Sequence, residues 1–99
     1  MHQHLVFFWL SDQLSVSERK NFEIELETLI KIPSVLTGYY GKPADTNRPV
    51  IDRSYSFGLM LGFQGMAEHD QYQIDPIHRA FVENNSHKWD KVLIYDIET

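Results

Sequence analysis

The 99-residue sequence predicts a single α+β domain of the ferredoxin-like βαββαβ type, with a four-stranded antiparallel sheet. Three observations lead to this prediction. Strand-like and helix-like segments alternate in the order strand, helix, strand, strand, helix, strand. The length is enough for one hydrophobic core but not for two. No repeat or linker divides the chain. We therefore treat residues 1–99 as one domain, and we expect its helices on one face of the sheet.

The first half of the chain predicts a strand, a capped helix and a second strand. HLVFFWL, residues 4–10, is apolar at both its odd and its even positions, so both faces of this strand must be covered. Ser15 and Glu18 match an S-x-x-E capping box, which marks a helix start, and Pro33 ends that helix. One stripe of the helix is apolar and is expected to be buried: Phe22, Leu26, Leu29 and Ile30. VLTGYYGK, residues 35–42, predicts the second strand.

The second half predicts two strands with helical segments between them. A long loop, residues 43–53, precedes the third strand, SYSFGLMLGF. This strand has one bulky face, formed by Tyr55, Phe57, Leu59, Leu61 and Phe63. A helical region begins near Met66, and Asp75-Pro76 begins another, with the aspartate as N-cap and the proline at the first helical position. KVLIYDIE, residues 91–98, predicts the last strand.

The composition excludes several classes of function. The net charge is −5 and no cluster of lysine and arginine is present, which argues against nucleic-acid or anionic-membrane binding. The absence of cysteine excludes disulfides, thiol catalysis and thiolate metal sites, and is typical of a reducing compartment. The apolar run near the amino terminus is too short to span a bilayer. We therefore expect a soluble, cytoplasmic protein, and we predict no cofactor.

The distribution of apolar residues predicts a homodimer. The first and last strands are apolar on both faces, but helices on one side of the sheet can cover only one of them. Each large apolar side chain left in water forgoes roughly 1.5–3 kcal/mol. A second copy packed sheet to sheet would remove this surface, and the two sheets would then close towards a dimeric α/β barrel.

Five segments in order carry a family resemblance: HLVFFWL, IPSV, DRSYSFGLMLGF, DQYQIDPIHRAFV and VLIYDIE. Together they resemble the stress-responsive dimeric α/β-barrel (Dabb) family over nearly the whole chain. That family includes plant stress-associated proteins, bacterial members without an assigned activity, and a plant polyketide cyclase with a pocket inside each subunit. The resemblance implies that Tyr72 and His78 match the acid-base residues of the cyclase, and that His4 matches a pocket histidine. Two positions depart from the family pattern: Asp75 often corresponds to histidine, and His69 to leucine.

Tyr72 and His78 have two interpretations, and the sequence leaves both open. The positive end of a helix would keep His78 neutral and able to accept a proton, although Asp75 opposes this effect. The Tyr72 hydroxyl could then stabilise an enolate-like charge. In the other interpretation Tyr72 packs on the sheet in a filled core, and His78 only bonds to a nearby strand. We therefore predict a Dabb-type dimer with a small-molecule pocket and an unassigned activity. The alternative is a polyketide-cyclase-like, isomerase or lyase enzyme that uses this pair.

Three further residues are candidates for substrate binding: His4, His69 and Arg53. Arg53 and its neighbour Asp52 end the long loop, where an anionic group could bind or an ion pair could fix the loop at the dimer seam. His2 and His4 lie on the same side of an extended strand and could bind a metal jointly with an acidic residue. Because both stand near the chain terminus, no metal site is predicted.

Overall fold

The computed structural model describes all 99 residues, Met1–Thr99, as a four-stranded antiparallel sheet with helices packed on one face. The strands are β1 (His2–Leu10), β2 (Thr37–Gly41), β3 (Phe57–Phe63) and β4 (Trp89–Glu98), and their order in the sheet is β2-β3-β1-β4. The helices are α1 (Val16–Ile30), α2 (Met66–Ile74) and α3 (Pro76–Asn85), and a short 3₁₀ turn, Ser86–Lys88, follows α3. This arrangement confirms the predicted ferredoxin-like fold. None of the helices has the length and hydrophobicity needed to cross a membrane.

The predicted helix starts are confirmed by their caps. The Glu18 amide donates to Ser15 Oγ at 3.1 Å, and the Ser15 amide donates to Glu18 Oε1 at 2.9 Å, which completes the capping box of α1. The Ile77 amide donates to Asp75 Oδ1 at 2.8 Å, and Pro76 is the first residue of α3. Asp75 therefore caps α3 as predicted.

All four strands begin at residues other than those predicted, and β2 and β4 begin at Thr37 and Trp89 instead of residues 35 and 91. β1 begins at His2, two residues earlier than expected, because His2 pairs with both Phe63 and Glu98 across the sheet. β3 begins at Phe57 instead of residue 54, because Asp52 accepts hydrogen bonds from the Ser54 amide and hydroxyl. These side-chain bonds hold the end of the loop in a turn and delay the strand.

The core lies between α1, α3 and one face of the sheet. Its 13 buried apolar residues include Val6, Phe8 and Leu10 of β1 and four residues of β3: Phe57, Leu59, Leu61 and Phe63. Tyr55, predicted for the same face, lies before β3 and contacts Phe7 of the opposite face instead. The predicted stripe of α1 is confirmed: Phe22, Leu26 and Leu29 are buried, and Ile30 packs against them. Phe22 is surrounded by four aromatic rings at centroid distances of 5.1–6.3 Å: Phe8, Phe57, Phe81 and Trp89.

The other face of the sheet carries no helix. We call this the open face, and it is formed by odd positions of β1 and their neighbours on the other strands: Phe7, Trp9, Tyr39, Met60, Leu93, Tyr95 and Ile97. Phe7 lies at its centre, with its ring centroid 5.0 Å from that of Tyr55 and 6.5 Å from that of Tyr95. Tyr95 and Ile97 each leave about half of their surface exposed (54% and 51%). The apolar second face expected from the sequence is therefore present in the subunit.

Candidate functional site

Tyr72 and His78 meet beneath the helices. Tyr72 lies near the end of α2 and His78 is the third residue of α3, so the turn at Asp75-Pro76 folds the two helices against each other. The ring centroids of Tyr72 and His78 are 4.6 Å apart. His4, on β1, approaches from the sheet, with its ring centroid 5.9 Å from that of Tyr72. Three of the residues selected from the sequence are thus brought together.

These three residues line a cavity of about 180 Å³ between the sheet and the α2–α3 pair. Most of the lining is apolar and comes from β1, β3, β4, α1 and α3: Val6, Phe8, Leu29, Leu59, Phe81, Val82, Trp89, Val92 and Ile94. Gln73 adds one more polar group. The site is therefore a largely apolar cavity in which the polar groups converge from the α2–α3 turn and from β1.

The hydrogen bond of His78 fixes which of its nitrogens is free. Its Nδ1 lies 3.2 Å from the backbone carbonyl oxygen of Gln73. A carbonyl oxygen can only accept, so Nδ1 carries the hydrogen and Nε2 of the neutral ring keeps a lone pair. Burial lowers the pKa of His78, and this outweighs the hydrogen bond to Gln73, which acts in the opposite direction. His78 therefore has the protonation state of a base at neutral pH.

Tyr72 is placed to donate a hydrogen bond, whereas His78 is placed to accept a proton. Its side chain is almost completely buried, and its hydroxyl makes no hydrogen bond within the chain. Burial raises the pKa of Tyr72 far above its ordinary value, so the hydroxyl keeps its proton. A protonated phenol without a protein partner is available to donate a hydrogen bond to an oxygen atom in the cavity.

The two interpretations offered by the sequence are not exclusive in the structure. The expected mark of a purely structural histidine is a bond from His78 to the backbone in a filled core. The structure has a backbone bond, but it is made to Gln73 of α2 and not to a strand, and the core beside it contains a cavity. One nitrogen fixes the ring and the other remains free, which is how oriented histidines are commonly held.

His4 is held by Asp96, a residue that the sequence analysis does not select. His4 Nδ1 lies 2.6 Å from Asp96 Oδ1. Burial lowers the pKa of His4, although the hydrogen bond to Asp96 opposes it. Burial raises the pKa of Asp96, but the hydrogen bonds from His4 and His2 outweigh it, and the net direction is downwards. The available signal is the single acidic residue in the otherwise apolar VLIYDI segment, but only the strand register places it opposite His4.

The remaining candidates lie outside the cavity. His69 does not line it; instead its ring stacks on His2 at a centroid distance of 4.5 Å. Arg53 is also absent from the lining, and its Nη2 lies 3.3 Å from Oδ1 of Asp45, an exposed residue of the same loop. Asp52 bonds to Ser54 and not to Arg53. The loop is therefore tied internally, at a distance from the site.

We expect His78 to make folding stability depend on pH. Its pKa in the folded state is lower than the ordinary value of 6.5, so the unfolded chain binds more protons as the pH falls through that range. The free energy of unfolding should therefore decrease between about pH 7.5 and about pH 5.5, and His78→Gln should reduce this decrease. Urea unfolding at the two pH values measures it. His87→Gln, which removes an exposed histidine outside the site, is the control. An equal pH dependence in wild type and His78→Gln would contradict this assignment.

Fold and site together define a class of protein: a small ferredoxin-like domain with a tyrosine and a histidine facing an apolar cavity beneath its helices. The family model of the Stress Responsive A/B Barrel Domain, Dabb, matches residues 3–99. The chain belongs to this family, and the resemblance inferred from its motifs is confirmed.

Individual relatives agree with this assignment. Olivetolic acid cyclase from Cannabis sativa is 24% identical over 95 residues, which cover 95% of this chain and 92% of the cyclase. A Dabb family protein from Mesorhizobium loti with a ferredoxin-like fold has a TM-score of 0.80 and 26% identity, over 99% of this chain and 95% of that one. A dimeric ferredoxin-like protein of unknown function from Thermobifida fusca has a TM-score of 0.80 and 17% identity, over 99% and 90% of the two chains. These relatives include a cyclase and a protein of unknown function, so similarity to them does not fix an activity.

Proposed function

We propose that the chain binds one small, mostly apolar molecule bearing a carbonyl or phenol oxygen in the cavity between the sheet and the α2–α3 pair. The observation that carries this proposal is the Tyr72 hydroxyl, which makes no hydrogen bond to the chain and opens into a mostly apolar cavity. It is not one of the sealed polar atoms without a partner, which are His2 Nδ1, Ser34 Oγ and Asn85 Oδ1. The hydroxyl can therefore donate to a ligand oxygen in the cavity, with the free Nε2 of His78 beside it.

The size of the cavity limits the ligand. Its volume of about 180 Å³ is close to that of cavities that hold one aromatic ring, about 150 Å³. The lining offers apolar contact to a ring or a short acyl chain, and polar contact only at Tyr72, His78, His4 and Gln73. No lysine or arginine lines the cavity, so the lining offers no counter-ion to a strongly anionic ligand.

Ligand binding is tested with a panel of uncharged single-ring phenols and short diketones. Olivetolic acid, the compound named in the Cannabis relative, is included as a carboxylate that we expect to bind more weakly than these. We expect at least one to bind, and we expect Tyr72→Phe and His78→Gln each to weaken its binding about tenfold, the effect of one lost hydrogen bond. Protein NMR titration measures the affinity and locates the ligand. Tyr39→Phe and His87→Gln are matched controls outside the cavity. Binding that is unchanged in both cavity variants, or absent for every compound, would contradict the proposal and leave a purely structural role.

A second candidate function is acid-base catalysis of the cyclase, isomerase or lyase type. It is favoured by the opposite protonation states of the pair: His78 has a free lone pair at Nε2, and Tyr72 keeps a donor hydroxyl. His78 could take a proton from a carbon next to a carbonyl while Tyr72 donates to the oxygen that becomes negative. The 24% identity to a cyclase supports this candidate.

Proton abstraction is tested separately from binding with acetophenone, a single-ring ketone, in deuterated buffer. Wild-type protein should accelerate deuterium incorporation at the methyl group, and His78→Gln should reduce this acceleration by about a hundredfold. NMR integration of the methyl protons measures the rate. If ligands bind but wild-type protein does not incorporate deuterium into acetophenone faster than buffer does, the protein does not catalyse proton abstraction from this probe. The binding proposal would then remain without the catalytic one.

We also propose that the chain functions as a homodimer through its open face. The apolar residues of that face are not covered within the subunit, and the Thermobifida fusca relative is described as dimeric. Sheet-to-sheet packing would bury the open face and leave the cavity, which lies on the helix side, intact in each subunit.

The absence of cysteine supports a cytoplasmic location, and the family name supports a role in the stress response.

A further inference from the structure

Four side chains with metal-ligating atoms converge at one end of the sheet: His2, His4, His69 and Asp96. We call them the histidine–aspartate cluster. His2 and His4 come from β1, His69 from α2 and Asp96 from β4, so three separate elements contribute. One ligand atom from each residue lies within 4.8 Å of every other. Only His4 of these four also lines the cavity, so the cluster is distinct from the proposed ligand site.

The distances in the cluster are centred on one carboxylate oxygen. Asp96 Oδ1 lies 2.8 Å from His2 Nε2, 2.6 Å from His4 Nδ1 and 3.8 Å from His69 Nε2. Around a tetrahedral zinc ion with bonds of about 2.0–2.1 Å, neighbouring ligand atoms are roughly 3.3 Å apart. The observed separations fall on both sides of this value. Small side-chain adjustments would therefore make room for an ion. Without a bound metal, His2 Nε2 and His4 Nδ1 donate to Asp96, so metal binding would move their hydrogens to the other ring nitrogens.

The hydrogen bonds of His69 direct a lone pair at the cluster. Its Nδ1 lies 3.3 Å from Asp70 Oδ1, and a carboxylate accepts, so Nδ1 carries the hydrogen. Its Nε2 lies 3.5 Å from the amide nitrogen of Gln73, which can only donate. Both contacts leave Nε2 as an acceptor, yet it faces the Asp96 carboxylate at 3.8 Å. Two acceptors facing each other are favourable only when a proton or a cation lies between them.

The environment of the histidines also suits a metal. His2 and His4 are 2% and 3% exposed, so both rings are held within the fold. The outward Nδ1 of His2 has no hydrogen-bond partner, and His2 therefore lacks the outer contact that His69 has. The Asp70 carboxylate on His69 is the outer contact that commonly fixes the orientation of a ligating histidine. Asp96 leaves 41% of its side chain exposed, which provides a path from solvent.

We propose that the histidine–aspartate cluster binds one divalent first-row transition-metal ion, with zinc as the expected occupant. Three imidazoles and one carboxylate suit zinc, cobalt, nickel or copper, and disfavour magnesium and calcium, which prefer oxygen ligands. Four protein ligands fill a tetrahedral zinc shell, and such closed sites are structural. The ion would tie the start of β1 and the end of β4 to α2.

This proposal goes against the expectation drawn from the sequence, in which two histidines near the terminus predict no metal site. That expectation depended on the position of the two histidines near the end of the chain. His2 is not at a frayed end, since it pairs with Phe63 and Glu98 in the sheet. The sequence alone makes His69 a candidate for substrate binding, and it does not select Asp96.

The test uses the full chain without an affinity tag, titrated with Co²⁺ and then with Zn²⁺. We expect one Co²⁺ per chain, with the strong visible absorption of a four-coordinate site, and displacement of Co²⁺ by Zn²⁺. His69→Gln and Asp96→Asn should each weaken binding by more than the roughly 10–100-fold that follows loss of an outer contact. His87→Gln, which leaves the same number of histidines as His69→Gln, should bind as wild type does. Circular dichroism verifies that each variant is folded.

Two outcomes would overturn this site. The first is the absence of stoichiometric Co²⁺ or Zn²⁺ binding to wild type at micromolar protein concentration. The second is binding that is as tight in both His69→Gln and Asp96→Asn as in wild type, since that would show that neither residue is a ligand. Neither outcome depends on ligand binding in the cavity, because His69 and Asp96 do not line it.

Discussion

Replacing Phe7 with aspartate is expected to convert the proposed homodimer into folded monomers. Phe7 lies on the central strand β1 and points to the open face, where it contacts Tyr55 and stands near Tyr95. In the isolated subunit an aspartate here would face water. In the dimer it would be buried among apolar side chains without a counter-charge. The substitution therefore acts on association much more than on folding.

The expected effect of this substitution is large. Burying an unpaired carboxylate costs several kcal/mol, and the lost phenyl ring adds roughly 2 kcal/mol. A total of about 4 kcal/mol or more weakens the dimer by at least about a thousandfold. At micromolar concentration, about half or more of a dimer with a nanomolar dissociation constant would then be dissociated.

Sedimentation velocity measures the oligomeric state, and circular dichroism shows whether the subunit is folded. Met60→Asp, also on the open face, should give the same result. Ile24→Asp makes the same chemical change on the outer surface of α1, where Ile24 is 59% exposed, and should remain dimeric. A wild-type monomer in dilute solution, or a Phe7→Asp dimer, would show that the open face is not the interface.

The order of the elements and their caps could be predicted from the sequence because each depends on neighbouring residues. The Ser15–Glu18 box and the Asp75-Pro76 start act within a few positions, and their side chains bond as expected. The start of β1 could not be predicted in this way. His2 is in a strand because β3 and β4 pair with it, and these strands lie more than 50 residues away along the chain.

The candidate site shows the same difference between local contacts, which the sequence predicts, and long-range contacts, which it does not. Tyr72 and His78 are close in sequence and meet across one turn, so a local motif is enough to select them. Asp96 meets His4 only through the pairing of β1 with β4, and His69 reaches His2 only because α2 crosses the end of the sheet. Contacts between residues so distant in sequence depend on register and helix placement, which residue spacing does not encode. The histidine–aspartate cluster is brought together by such contacts.

Replacing Phe22 with alanine is expected to give the largest loss of subunit stability. Phe22 is fully buried on α1 and contacts aromatic rings from β1, β3 and α3. Removing a buried phenyl ring costs about 3–5 kcal/mol through lost burial and the cavity that remains. A domain of this size has a total stability of roughly 5–15 kcal/mol, so a third or more of it would be lost. The melting temperature should fall by at least about 12 °C.

Ile24→Ala is the matched control, because it truncates an exposed side chain on the same helix and should change stability by less than about 0.5 kcal/mol. Thermal unfolding must be compared at one protein concentration, since dissociation of a dimer contributes to the transition.

The effect of Phe22→Ala should also extend to the candidate site. Phe22 packs on Phe81 of α3, the helix that carries His78, so the void left by Phe22→Ala lies directly behind the wall of the cavity. A folded Phe22→Ala variant should therefore bind cavity ligands more weakly than Ile24→Ala. Equal affinity would show that α3 is positioned by the sheet and the Asp75-Pro76 turn without help from α1.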